Sequence, residues 1–167
     1  MTAAPKLLAI CLNPPTASGQ RTRARVQMAG RALGYAQVEI ANLFAYPTRN
    51  ALQISEAGAD EVGWRIAQHE LTNTLTSADA VLLAYGVQPP RGPARAYFVA
   101  QVAWLEHMLT TSQKPVWLVG GAPRHPSRWQ RHTHRVAPGR PFEDALREAL
   151  AQREPNATSN DSTAHGT

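Results

Sequence analysis

Apolar residues gather in four short runs, separated by stretches with helical spacing. Lys6 to Leu12, Gln37 to Asn42 (QVEIAN), Ala80 to Ala84 (AVLLA) and Pro115 to Val119 (PVWLV) have the length and apolar density of strands. Between them, Arg23 to Leu33 reads as a helix. So does a segment from about Asp60 to Leu75, with Val62, Ile66 and Leu71 facing inward. The clearest period is Pro93 to Leu109, where Phe98, Val102, Leu105 and Leu109 recur at three- and four-residue steps. A last helix starts near Pro141, whose fixed φ suits a first turn, and runs through FEDALREAL.

Strands alternating with helices predict right-handed βαβ crossovers. The expected fold class is α/β: a three-layer αβα sandwich around a central, mainly parallel four-stranded sheet. Functional residues of such sheets collect on loops at the C-terminal ends of strands, where the strand order reverses. Those loops are NPPTASGQ, LFAYPTRN, YGVQPPRGP and GGAPRHPSRW. A single domain over residues 1–150 accounts for all the periodic segments. From Ala151 the chain turns polar and aperiodic, which predicts a disordered tail over 151–167.

Composition narrows the class. The 167 residues are 43% hydrophobic and 17% charged, as in a globular protein. No apolar run approaches the roughly 20 residues that a membrane span needs, and MTAAPKLLAI lacks the pattern of a secretory signal, so a cytoplasmic location is expected. Cys11, the single cysteine, ends the first apolar run and reads as a core residue. The formal charge is +5 and only Lys6 and Lys114 are lysines. An Arg-rich balance favours a polyanionic partner, although a GC-rich genome writes the same bias.

Each loop carries candidate chemistry beside a structural alternative. In LNPPTA, Pro14 and Pro15 stop the first strand and hold Asn13 extended at the sheet edge, where its amide can donate and accept; an Asx turn explains the same residues. Asn42 and Phe44 follow the second strand and pair an amide with an aromatic face, as base reading and stacking require, or else form a buried turn and core. In GGAPRHPSRW a neutral His125 can donate to a leaving group, and Ser127 stands two residues on; the alternative is a plain surface histidine. His132 and His134 form an H-x-H without an acidic or Cys partner, too little for zinc. Neither metal nor cofactor is expected. Arg21, Arg23, Arg25, Arg49, Arg91, Arg95, Arg124, Arg128 and Arg131 flank these loops, and exposed Trp129 could serve a protein partner. Walker-type and G-x-S-x-G patterns are missing from the sequence.

Taken in order, LNPPTA, LGYAQVEIANLFAYPTRN, AYG and GAPRHP, over about Leu8 to Trp129, resemble the bacterial family catalogued as domain of unknown function 1643. The chain departs from that family's pattern where carboxylates usually stand. Ser18 replaces an Asp, GQRTRAR replaces an acidic stretch, and Trp64-Arg65 replaces an Asn-Asp. A more distant similarity is to the uracil-DNA glycosylase superfamily. There Asn13-Pro14 matches the loop after the first strand, Asn42 the base-reading Asn, and His125, Pro126 and Ser127 a late His-Pro-Ser.

The glycosylase similarity implies a glycosylase-like fold that recognises nucleic acid, DNA above all, and cleaves an N-glycosidic bond. Asn13 would position water and His125 would stabilise the departing base. Pro14, Asn42, Phe44 and Ser127 would bind the base, and Arg21, Arg23, Arg25, Arg49, Arg91, Arg124 and Arg128 the phosphates. An Asn cannot act as a general base, so cleavage would be slow or absent. Two other readings stand beside it: a non-catalytic DNA- or RNA-binding module, and an enzyme acting on free nucleosides or nucleotides.

Overall fold

The computed structural model describes residues 2–155. Five strands form one sheet in the order β2-β1-β3-β4-β5: β1 (Lys6–Cys11), β2 (Gln37–Asn42), β3 (Ala80–Leu83), β4 (Val116–Val119) and β5 (Leu150–Gln152). The first four are mutually parallel and β5 runs antiparallel to β4. The sheet therefore has one strand more than the four the sequence predicts. Ala151 and Gln152, assigned by sequence to a polar tail, belong to β5, whose pairing comes from backbone groups and needs little apolar content. Of the remaining tail, residues 156–167 lie outside the described residues.

Alternation along the central strands builds two cores. Leu8 and Ile10 of β1 and Val81 and Leu83 of β3 face one side; Leu7, Ala9, Cys11, Ala80 and Leu82 face the other. Strands buried on both faces read as continuous apolar runs, which is why β1 and β3 are legible. On the first side lie α2 (Ala51–Ala57), α3 (Val62–Ser77) and α4 (Ala94–Ser112). On the second lie α1 (Gln20–Leu33), α5 (Pro126–Val136) and α6 (Phe142–Ala149). The result is a three-layer α/β arrangement with helices on both faces of the sheet.

The register of α3 differs from the sequence expectation. Trp64, Ala67, Leu71 and Leu75 face the core, leaving Val62 and Ile66 exposed. Trp64 decides this, because its ring buries more area than either β-branched neighbour and packs at 4.8 Å on Phe44. Gly63 makes the fit possible: a Cβ there would stand 2.3 Å from the Phe44 ring. From α4, the buried Gln101 amide donates to the carbonyls of Leu43 (2.9 Å) and Trp64 (2.8 Å), tying this aromatic cluster to the end of β2.

Candidate functional site

The chain reverses direction in the sheet between β1 and β3, and a cleft of about 670 Å³ opens there, above the C-terminal strand ends. Parallel register sets its floor. Cys11 pairs with Asn42, and the ladder continues as Leu43 and Phe44 donate to the Cys11 and Leu12 carbonyls. Pro14 and Pro15 have no N–H to extend it, so the chain leaves the sheet at Asn13. It then turns through Gly19, whose φ of +66° and close approach to Pro15 both exclude a side chain, and enters α1.

Asn13 is fixed. Its Nδ2 donates to Thr48 Oγ1 (2.8 Å), to the Thr48 carbonyl (3.3 Å) and to the Pro14 carbonyl (3.2 Å). Two carbonyl acceptors require the nitrogen on that side, so Oδ1 is the atom left to accept from a ligand or water. Asn13 thus performs the structural task of latching two loops together while presenting an acceptor. Asn42 lines the same floor, and its amide has no hydrogen-bond partner among the described residues.

His125 is the N-cap of α5. Its Nδ1 accepts from the Ser127 backbone N–H (3.2 Å) and lies 2.8 Å from Ser127 Oγ. Accepting at Nδ1 leaves the neutral ring with its proton on Nε2. Burial, then the nearby charges of Arg128 and Arg25, hold its pKa below the usual histidine range. A neutral Nε2–H donor therefore stands on the cleft wall. Pro126 supplies the first helical residue, and two braces fix the helix start. Arg25 donates to the Pro126 carbonyl (2.8 Å) and Gln130 Oε1 (3.1 Å), and Trp129 Nε1 donates to the Arg124 carbonyl (2.8 Å).

The arginines divide. Arg23, Arg49, Arg124 and Arg128 line the cleft together with Asn13, Pro14, Asn42, His125 and Ser127, and the lining contains no Asp or Glu. Arg21 and Arg91 lie outside the lining, and Arg25 is committed to bracing α5. None of the four cleft arginines forms an ion pair among the described residues. The Arg124 Nε is buried with no hydrogen-bond partner there, a costly arrangement.

Two aromatic expectations need correction. Phe44 is fully buried and does not line the cleft, because Gly63 and Trp64 draw it into the core. Trp129, read as exposed, is also fully buried, and it anchors α5 on the sheet. The aromatic side chain that lines the cleft is Tyr85, after β3, packed edge-on at 6.0 Å against Phe98. Its pKa is raised, chiefly by burial and then by the Glu106 carboxylate. Only its place in AYG, directly after an apolar run, marked it in sequence. Thr48, Asn50 and Gln88 also line the cleft; the sequence marks the loops that carry them but not these residues. Cys11 forms part of the floor, 3% exposed, with its thiol pushed up to about 12 by burial.

Among the described residues no helix is long and apolar enough to cross a membrane, and no three His, Cys, Asp or Glu side chains gather as metal ligands would. No curated protein and no solved structure matches the chain. A family model does match, over residues 1–127, spanning β1 to β4 and the loops that build the cleft through Ser127. Its description is "Protein of unknown function (DUF1643)", and the chain belongs to that family.

Proposed function

We propose that the cleft binds a nucleotide unit of nucleic acid, DNA in preference. The observation that carries this reading is the lining: four arginines, three asparagines and a neutral histidine around one cavity, with no carboxylate. An acid-free cleft concentrates positive potential and suits a phosphate-bearing ligand. Asn13 Oδ1 and the Asn42 amide supply the acceptor and donor groups that read a base edge, and Tyr85 and Pro14 supply apolar surface against its ring. Arg23, Arg49, Arg124 and Arg128 take the phosphates.

The state of His125 favours one further reading, scission of an N-glycosidic bond as in the glycosylase similarity. A neutral Nε2–H can stabilise negative charge on a departing base, while Asn13 Oδ1 orients water. With no carboxylate in the cleft to take a proton from that water, turnover is slow compared with an enzyme that has one.

The test is incubation with single- and double-stranded oligonucleotides carrying uracil, hypoxanthine, a mismatch or no lesion. Binding and alkali-revealed strand breaks are scored for wild type, Asn13→Ala and His125→Ala. Binding that weakens in the variants supports base recognition in the cleft. Breaks lost in both add catalysis, and a chain that binds no oligonucleotide or nucleotide removes the proposal.

A further inference from the structure

The cleft accounts for one end of α5 only. Arg128 lines the cleft, but Arg131 and Arg135 continue from it at steps of three and four residues, all three exposed. That spacing puts them on one side of the helix, opposite Pro126, Trp129 and Thr133, which face the core. The three make no hydrogen bond or ion pair through their side chains among the described residues.

A solvated helix face ordinarily mixes both signs of charge. This one does not: PSRWQRHTHRV has no Asp or Glu, and neither has QRTRARVQMAGRAL of the adjacent α1. The two helices carry seven arginines with no internal compensation. On α6, packed beside them, Arg147 pairs with Asp144, and Arg140 reaches Glu148. Among these three helices the charge without a carboxylate partner falls on α1 and α5, and on α5 it forms a line that begins at the cleft.

We infer that the Arg128, Arg131 and Arg135 stripe is a track for the phosphodiester backbone of a polynucleotide, carrying the strand away from the nucleotide held in the cleft. The inference rests on the proposed function and extends it, because the ligand becomes a strand and free nucleotides become fragments of it. Seven residues of helix rise about 10 Å. At a rise of 3.4 Å per nucleotide on one duplex strand, this distance spans about three phosphates. Guanidinium groups recognise phosphate by charge and geometry and not by sequence, so the track adds affinity without adding base preference.

The test compares wild type, Arg131→Ala/Arg135→Ala and the control Arg140→Ala/Arg147→Ala, which removes equal charge from α6 and the turn before it. Ligands are thymidine 5′-monophosphate and single-stranded thymidine oligomers of increasing length, titrated at several salt concentrations. Wild type should tighten as oligomers grow from one to about four nucleotides. The α5 double variant should lose that gain, with a slope of log K against log salt shallower by about 1.4, while monophosphate affinity stays unchanged. The α6 control should keep the wild-type slope. An α5 variant with the wild-type slope and length dependence overturns the track and leaves the cleft reading intact. Failure of every ligand to bind wild type overturns the cleft reading as well. Competition by polyglutamate equal to that by the oligomer shows that the stripe recognises acidic polymers generally, which also overturns the assignment.

Discussion

Helices α5 and α6 pack side by side on one face of the sheet and use arginine in opposite ways. Arg147 pairs with Asp144 on α6, and Arg140, just before it, pairs with Glu148. Arg128, Arg131 and Arg135 on α5 have no carboxylate in reach among the described residues. Seating differs too. The α5 core contact depends on one large side chain, Trp129, with Pro126 and Thr133 beside it. The charge around α6 is matched within the fold, and the charge on the outer face of α5 is left open.

The largest effect is expected on that seat. Trp129→Ala removes a fully buried indole and its bond to the Arg124 carbonyl, and should cost about 3–5 kcal/mol in chemical denaturation. The cleft comes next. Arg124→Glu/Arg128→Glu should weaken oligonucleotide binding about 100-fold or more near 0.1 M salt, as fluorescence anisotropy would show. Arg140→Ala/Arg147→Ala, on the matched side, should leave binding within about twofold and cost no more than about 1 kcal/mol, as exposed pairs do. Equal losses in the two charge variants would erase the contrast between the helices.

Arg25 tests where bracing ends and binding begins. Arg25→Met keeps apolar reach toward the Phe142 ring, 5.7 Å from the guanidinium, but deprives the Pro126 carbonyl and Gln130 of their donor. A loss of about 1–2 kcal/mol in stability is expected, with oligonucleotide affinity of the folded protein changed less than about threefold. A much larger binding loss at unchanged stability would move Arg25 into the ligand site.

The smallest effect is a pH dependence. His125 has a folded pKa below its ordinary 6.5, so as pH falls the unfolded chain takes up the proton first. Its contribution to stability is whole above about pH 6.5 and is lost as pH drops toward the folded value. Asparagine caps helices without titrating. The drop in Tm between pH 7.5 and pH 5 should therefore be smaller in His125→Asn than in wild type. His132, also held below the usual range by burial and the charges of Arg124 and Arg135, contributes equally to both proteins. Identical drops would mean that the cap does not sense the proton.

The pattern of legibility follows from how each element is stabilised. The first four strands stand in the sequence to within a residue or two: β1 and β3 because burial on both faces writes an apolar run, and β2, an edge strand with only Ala41 buried, because Val38 and Ile40 alternate with polar neighbours. Two helices and one strand were not legible. In α2 only Ile54 is buried, α5 is seated on a lone large ring, and β5 has one buried residue and a backbone ladder. None of these leaves an apolar period. Asn13, Asn42 and His125 were legible because they follow strands and sit beside Pro or in short loops. Phe44 misled because an aromatic after a strand serves a core as readily as a cleft, and only Gly63, 19 residues on in sequence, records which.

The burial of Cys11 turns the chain's one thiol into a clock. With its pKa raised to about 12 and 3% of its surface exposed, it reacts at neutral pH only when the second core packed around it opens. The rate at which a thiol reagent labels the folded protein thus counts the openings of the cleft floor. A ligand seated over Asn13, as the proposed function requires, should lengthen the interval between them.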